Sequence, residues 1–240
     1  PSRPAYRARR VREIAEAVRR IRPDGLSLDF LRHFVFWEKV PVAAAADSFP
    51  NTCFCDRCVA SFAARAGLTI PRDALGNPPA AAAWILAGHE AAWTEWKVEL
   101  IDSMAAETIA AAREAKADLE IVLHAVPWRR HDYGGAVLRI AGQDHERLAR
   151  RFDYLSPMAY AHMLRRPPRW IRSVVRTLAA TTGARILPSI QVQEAYRPGE
   201  PLTAEEFAQD LREALRPPSA GVVLWSWNGL AKEPEKQRAL

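Results

Sequence analysis

The sequence predicts an α/β fold made of parallel β/α units. Helix and strand signals alternate from one end of the 240 residues to the other. The strands read as continuous apolar, β-branched runs, the pattern of strands buried on both faces of a parallel sheet. Polar and aromatic residues gather at the C-terminal end of each strand, where a (β/α)8 barrel carries its chemistry. No Gly-rich phosphate loop follows a strand, which sets the TIM-barrel type ahead of an open doubly wound sheet. Five units are legible where a barrel has eight. One barrel-type domain over residues 1–240 is therefore expected to hold the C-terminal five or so, with three strands before Pro1.

Residues 4–22 place Tyr6 (one turn early), Val11, Ile14, Val18 and Ile21 at helical spacing, and Pro23-Asp24-Gly25 stops that helix. "LSLDF" is the first strand. Residues 39–79, rich in Pro, Ala and Asn, form an insertion with a short helix at 56–66. A long helix over about 80–116 puts Trp93, Trp96, Leu100 and Met104 on one face. "LEIVLHAVPW" is the second strand, "DHERLARRF" a short helix and "DYLSPMAY" the third strand. A helix spans about 168–181, and "ARILPSIQVQE" is the fourth strand, ending at Glu194. Thr203 and Glu206 make a capping box for a helix carrying Phe207, Leu211 and Leu215. "AGVVLWSWNG" closes the series.

No stretch approaches the ~18 uninterrupted apolar residues of a membrane span, and no membrane partner is expected. The chain opens on Pro1 with a basic, helical segment and not a secretory apolar core. It is therefore expected to be an excised or processed piece that carries no readable address. The net charge of +6 comes from arginines spread along the chain and interleaved with acids. That spread, without basic-aromatic repeats, argues against a nucleic-acid partner.

Cys53, Cys55 and Cys58 in "CFCDRC" are poorly placed for disulfides and read as part of a thiolate metal site. A closed structural zinc needs four ligands, so a zinc here would staple the insertion and leave the chemistry to other residues. No catalytic cofactor is expected.

The ordered blocks "PSRPAYR", "DGLSLDFLRHFVFWE", "CFCDRCVASFAARAGL", "GQDHERLARRFDYLSPMAY", "ILPSIQVQE" and "GVVLWSWNGL" resemble glycoside-hydrolase-like barrels of the clan-A type. The cysteine segment is similar to that of the family 42 β-galactosidases. In that clan the acid/base follows the fourth strand and the nucleophile the seventh. Counting back from "GVVLWSW" as the eighth, the resemblance implies that Asp29 and Glu194 occupy those places. Family 42 carries an Asn-Glu pair where this chain has Leu28-Asp29. It also places a fourth cysteine upstream of the stretch that begins here at residue 1.

Glycosidic cleavage needs two carboxyl groups, one holding a proton and one charged, ~5 Å apart for retention or ~6.5–9.5 Å for inversion. Asp29 is the first candidate, its alternative role being to accept from Arg32 or a loop amide. Glu194 is the second. Glu38 is the third, its simplest alternative a solvated carboxylate beside Lys39. Arg32, Trp37, His124, Trp128, Tyr160, Gln193 and Trp227 are candidate contacts to a carbohydrate, the tryptophans because an indole face packs on the CH face of a sugar ring. The expected activity is hydrolysis of an oligo- or polysaccharide. A barrel that binds carbohydrate without cutting it is the alternative, and a zinc-knuckle nucleic-acid binder trails both.

Overall fold

A computed structural model describes residues 2–240. Helix α1 (Pro4–Ile21) leads into strand β1 (Gly25–Leu28). The insertion follows with α2 (Asp56–Ala66) and α3 (Pro78–Gly88), and then comes the long α4 (Glu90–Ala115). Strand β2 (Glu120–Ala125), the short helices α5 (Ala136–Arg139) and α6 (His145–Ala149), β3 (Tyr154–Pro157) and α7 (Arg169–Thr182) come next. The chain ends with β4 (Arg185–Ile186), β5 (Ser189–Gln191), α8 (Ala204–Ala214), β6 (Val223–Trp225), α9 (Trp227–Leu230) and α10 (Pro234–Gln237).

Strands β1 to β4 pair in sequence order, all parallel, and β5 pairs in parallel with β6. Single bridges, Met158 to Ser189 and Ile186 to Ser219, join the two sheets into one arc. Each strand adds at the same growing edge. An open doubly wound sheet requires that order to reverse, and among the described strands it does not. The fourth predicted strand is divided into β4 and β5 at Leu187-Pro188, because Pro188 has no N–H to donate to the ladder. The outer strands β1 and β6 are only partly covered, while β3 and β5 are buried throughout. Burial on both faces therefore holds for the middle of the arc and not for its edges.

The main core lies between the arc and helices α1, α4, α7 and α8, with Ile101, Ile121, Leu123, Leu155, Ile171, Val174, Ile190 and Phe207 fully out of solvent. Each such side chain stabilises the fold by about 1.5–3 kcal/mol relative to exposure. The expected single helix over 80–116 is two, α3 and α4, broken at His89, whose backbone (φ −137°, ψ 17°) is not helical. Trp84 packs edge-on against the His89 ring at the break. Among the described residues no helix is long and apolar enough to cross a membrane.

Helix α8 opens with half of the capping box: Thr203 Oγ1 accepts from Glu206 N at 3.1 Å. The other half is diverted, since Glu206 Oε1 meets His162 Nδ1 at 2.9 Å. One turn on, Asp210 is 1% exposed and neither carboxylate oxygen has a protein partner. Burial, and then the charge of Glu206, push its pKa up to about 7. A folded pKa above the unfolded value means that the folded state holds an extra proton between the two, so this acid's contribution to stability falls as pH rises through that window. Asp210→Asn is expected to raise stability at pH 8 by on the order of 3 kcal/mol and to change little at pH 4. Urea midpoints at the two pH values check this, and equal shifts at both would refute it.

Candidate functional site

The register of the arc aligns a row of polar side chains. Leu28 pairs with Leu123, and His124 with Ser156. Because side chains alternate along a strand, Asp29, His124 and Ser156 fall on the same face, opposite the leucines that enter the helix-backed core. Asp29 is the first residue past β1, so the row lies at the strands' C-terminal rim.

The chain turns sharply there. Phe30 takes φ 56°, and Asp29 Oδ1 accepts from its N–H at 2.6 Å. The fully buried Gln143 fixes the loop from behind: Nε2 donates to Leu31 O at 3.0 Å and Oε1 accepts from Val126 N at 2.9 Å. This one amide ties the loop after β1 to the end of β2. The loop then folds back through a 3-10 turn, Trp37–Lys39, and returns Glu38 to the row.

Arg32 links the two acids. Its Nη1 lies 3.7 Å from Asp29 Oδ1 and its Nη2 3.8 Å from Glu38 Oε1. A guanidinium is a short, rigid fork, so these contacts hold the two carboxylates within about 10 Å of one another. The guanidinium also lies over the Phe30 ring, 4.6 Å from its centroid. The Arg32 side chain is only 6% exposed, and burial lowers its pKa despite the opposing pull of Glu38 and Asp29. Burial likewise raises the pKa of Glu38; Asp29 adds to the rise, while Arg32 and Lys39 oppose it. Glu38 is thus not the solvated partner of Lys39 that its neighbour in sequence suggested. It is a half-buried acid biased toward holding its proton.

Aromatic rings wall the other side. Tyr160 is stacked on Trp225, 5.2 Å between centroids at 24°, and lies 5.9 Å from Trp37. Its hydroxyl meets Ser189 Oγ at 3.3 Å. Burial pushes the Tyr160 pKa up to about 12, with Asp29 and Glu38 among the contributors. His124 has its pKa lowered by burial, opposed by Asp29. The imidazole therefore favours its neutral form.

The structure corrects two candidate sugar platforms. Trp37 and Trp128 are 0% and 3% exposed, packed in a second core with Phe49, Val137, Met158 and Met163. Phe49 and Tyr133 cover the Trp128 ring at 5.4 and 5.3 Å. Neither indole has a free face. Trp225 and Trp227, 42% and 74% exposed, do. Trp225 lies on β6 ahead of Trp227, and only the tertiary structure shows that it stacks on Tyr160. Gln191, likewise unpredicted, is fully buried, accepting from Met163 N at 2.8 Å and donating to Gln193 O at 2.9 Å, and so fixes the end of β5.

Glu194 is exposed on the loop after β5, and Gln193 beside it is exposed as well. Among the described residues Glu194 makes no ion pair or side-chain hydrogen bond. The loop itself reaches the loop after β1: Lys39 Nζ lies 5.6 Å from the Phe36 ring and 5.5 Å from that of Tyr196. A groove of about 790 Å³ runs between these loops, with Glu38, Lys39, Arg165, Tyr196 and Arg197 on its walls.

At the insertion, the sulfurs of Cys53, Cys55 and Cys58 all lie within 4.8 Å of one another. That is close to the span of thiolates sharing one ion at ~2.3 Å each. Cys53 and Cys55 are exposed and Cys58 buried, and the Ser2 hydroxyl lies 3.4 Å from the Cys58 sulfur.

No protein-family model matches the sequence, and no curated protein matches it. Solved structures do. The PgaB (BpsB) glycoside hydrolase domain from Bordetella bronchiseptica aligns with a TM-score of 0.64 at 16% identity over 95% of this chain and 60% of that one. Bee venom hyaluronidase aligns with a TM-score of 0.45 at 11% identity, over 75% of this chain and 58% of the other. The chain thus spans about 60% of the length of the PgaB domain. At 16% identity the likeness to the PgaB domain establishes fold alone: the chain has that domain's α/β architecture, helices around a parallel sheet.

Proposed function

We propose that this chain is the C-terminal five-unit part of an eight-unit barrel that hydrolyses glycosidic bonds of an oligo- or polysaccharide. The observation that carries the reading is where buried polarity is left over. Among the described residues thirteen buried side-chain atoms lack a protein hydrogen-bond partner, and five of them belong to the cup at the rim: Arg32 Nη1, Trp37 Nε1, Glu38 Oε2, His124 Nδ1 and Ser156 Oγ. Buried polar groups are satisfied as a rule, so such a cluster beside two carboxylates is suited to a polyhydroxylated ligand.

Glu38, half-buried and biased toward its acid form, is the proton donor in this reading. Asp29, more exposed and beside the Arg32 guanidinium, is the charged partner. Glu194, on the adjacent loop, is the alternative charged partner that counting strands implies. Trp225 and Trp227 give flat faces to sugar rings, and Arg32, His124, Tyr160 and Gln193 address hydroxyls. The three cysteines would hold a structural zinc that fastens the insertion, its closed site needing a fourth ligand besides these three. Soft thiolates at this spacing fit zinc, and a zinc closed by four protein ligands has no open position for substrate, so it takes no part in bond cleavage.

Incubation with a panel of neutral and charged oligosaccharides tests the proposal, scored by reducing-end release and by affinity electrophoresis. Release of reducing ends with a defined anomeric outcome is expected. A glycan that binds but is never cut by the whole protein overturns hydrolysis in favour of a carbohydrate-binding barrel.

A further inference from the structure

Helices α7 and α8 run side by side on the outside of the arc, and between them lies a groove of about 910 Å³. Its walls carry Arg169, Arg172 and Arg176 from α7, Arg216 past the end of α8, and a single acid, Glu213. Arg212 continues the basic wall in an adjoining depression. Residues 169, 172 and 176 follow the i, i+3, i+7 spacing that stacks side chains along one helix face.

Most of the arginines elsewhere on α4 to α6 and in the loops are held in ion pairs, such as Arg147 with Glu95 and Arg151 with Asp102. These are not. Among the described residues Arg169, Arg172, Arg176 and Arg212 have no ion pair and no side-chain hydrogen bond, and only Arg216 is paired, with Glu213 at 3.0 Å. The Nε of Arg172 is buried without a partner. Like charges gathered in a concavity repel one another and raise the local concentration of anions.

We infer that this groove is an exosite for an anionic polysaccharide, one bearing carboxylates or sulfates, and that it extends the carbohydrate site proposed at the rim. The inference rests on that reading for the ligand being a glycan. The choice of anion class follows from the lining. Guanidinium forks match planar or tetrahedral oxyanions in bidentate fashion, which lysines do not. The groove walls carry no aromatic ring, so the stacking platform of a single-strand nucleic-acid binder is missing. The lining holds no large apolar side chain, whereas a membrane-bound face presents such side chains to the lipid. Helix α7 begins immediately after the loop that carries Tyr160 and His162. Its first arginine, Arg169, therefore stands on the rim side, and Arg176 lies about 10 Å further down the helix. A chain seated at the rim continues into the groove.

Fluorescence anisotropy with labelled polygalacturonate, dextran sulfate and neutral dextran tests this, with an oligothymidylate as competitor probe. The whole protein is expected to bind polygalacturonate or dextran sulfate, whichever anion it prefers, and not neutral dextran. Affinity is expected to weaken as salt rises from ~50 to ~200 mM. The triple substitution Arg172→Gln, Arg176→Gln, Arg212→Gln, with its circular dichroism unchanged, should lose about tenfold or more in affinity. Retained affinity in that variant overturns the inference, as does failure to bind either charged glycan. Tighter binding of oligothymidylate than of both reassigns the groove to nucleic acid. Reducing-end release is read separately: its absence with groove binding intact fails the rim reading alone, and its presence with affinity unchanged in the triple variant fails the groove alone.

Discussion

Glu38→Gln is expected to lower kcat on any glycan that the protein cleaves by about 10²–10⁴-fold, the range for removing a positioned proton donor. KM should change little, because the amide keeps the shape of the carboxyl. Asp29→Asn should cost a similar factor while keeping the turn at Phe30, since the amide oxygen still accepts the 2.6 Å hydrogen bond from Phe30 N. The pH profile separates the roles. Burial raises the pKa of Glu38 and Arg32 opposes the rise, so removing the guanidinium moves the acid's pKa further up. Arg32→Gln is therefore expected to shift the alkaline limb of kcat to higher pH. An activity surviving Glu38→Gln within about threefold, but lost in Glu194→Gln, sinks the assignment and moves the second carboxyl to the end of β5.

The sequence was legible where local chemistry decides the outcome. The runs around Leu123, Leu155 and Ile190 could only be buried strands, and Asp56–Ala66 and Arg169–Thr182 form the helices that their spacing predicts. What could not be read was set by register and by folding back. Asp29, His124 and Ser156 lie far apart in the chain, and one row forms only because parallel pairing aligns Leu28 with Leu123 and His124 with Ser156. Glu38 reads as a loop acid until the turn at Trp37–Lys39 carries it to Arg32. Trp128 reads as a rim aromatic at a strand's end, yet Phe49 from the insertion covers it. The arginines of α7 and α8 look diluted in a linear scan, because Arg172 and Arg216 are brought to one groove by helix packing alone.

The largest structural effect is expected at Trp93. The insertion has no sheet of its own, and its small core packs on α4: Phe62, Ile85, Trp93 and Trp96 are buried together. Trp93 is the centre of that cluster. Phe54 stacks on it, 5.0 Å between centroids at 13°, Phe62 meets it edge-on at 5.1 Å, and Trp96 lies 4.7 Å away. Phe54 stands between Cys53 and Cys55 in the chain, so the indole also fixes where the cysteine hook sits. Trp93→Ala removes a fully buried ring and leaves a cavity, at a cost of about 3–5 kcal/mol. The loss should appear as a lower urea midpoint and, because Phe54 loses its stacking partner, as weaker zinc uptake in a chromophoric-chelator competition. Trp93→Phe, which keeps an aromatic face toward Phe54, should recover most of the zinc affinity while remaining less stable than wild type. If Trp93→Ala unfolds with the wild-type midpoint, the insertion is not anchored through this ring. If its midpoint falls but zinc uptake is untouched, the hook holds its shape without Trp93, and the coupling between helix α4 and the cysteines is broken as an idea.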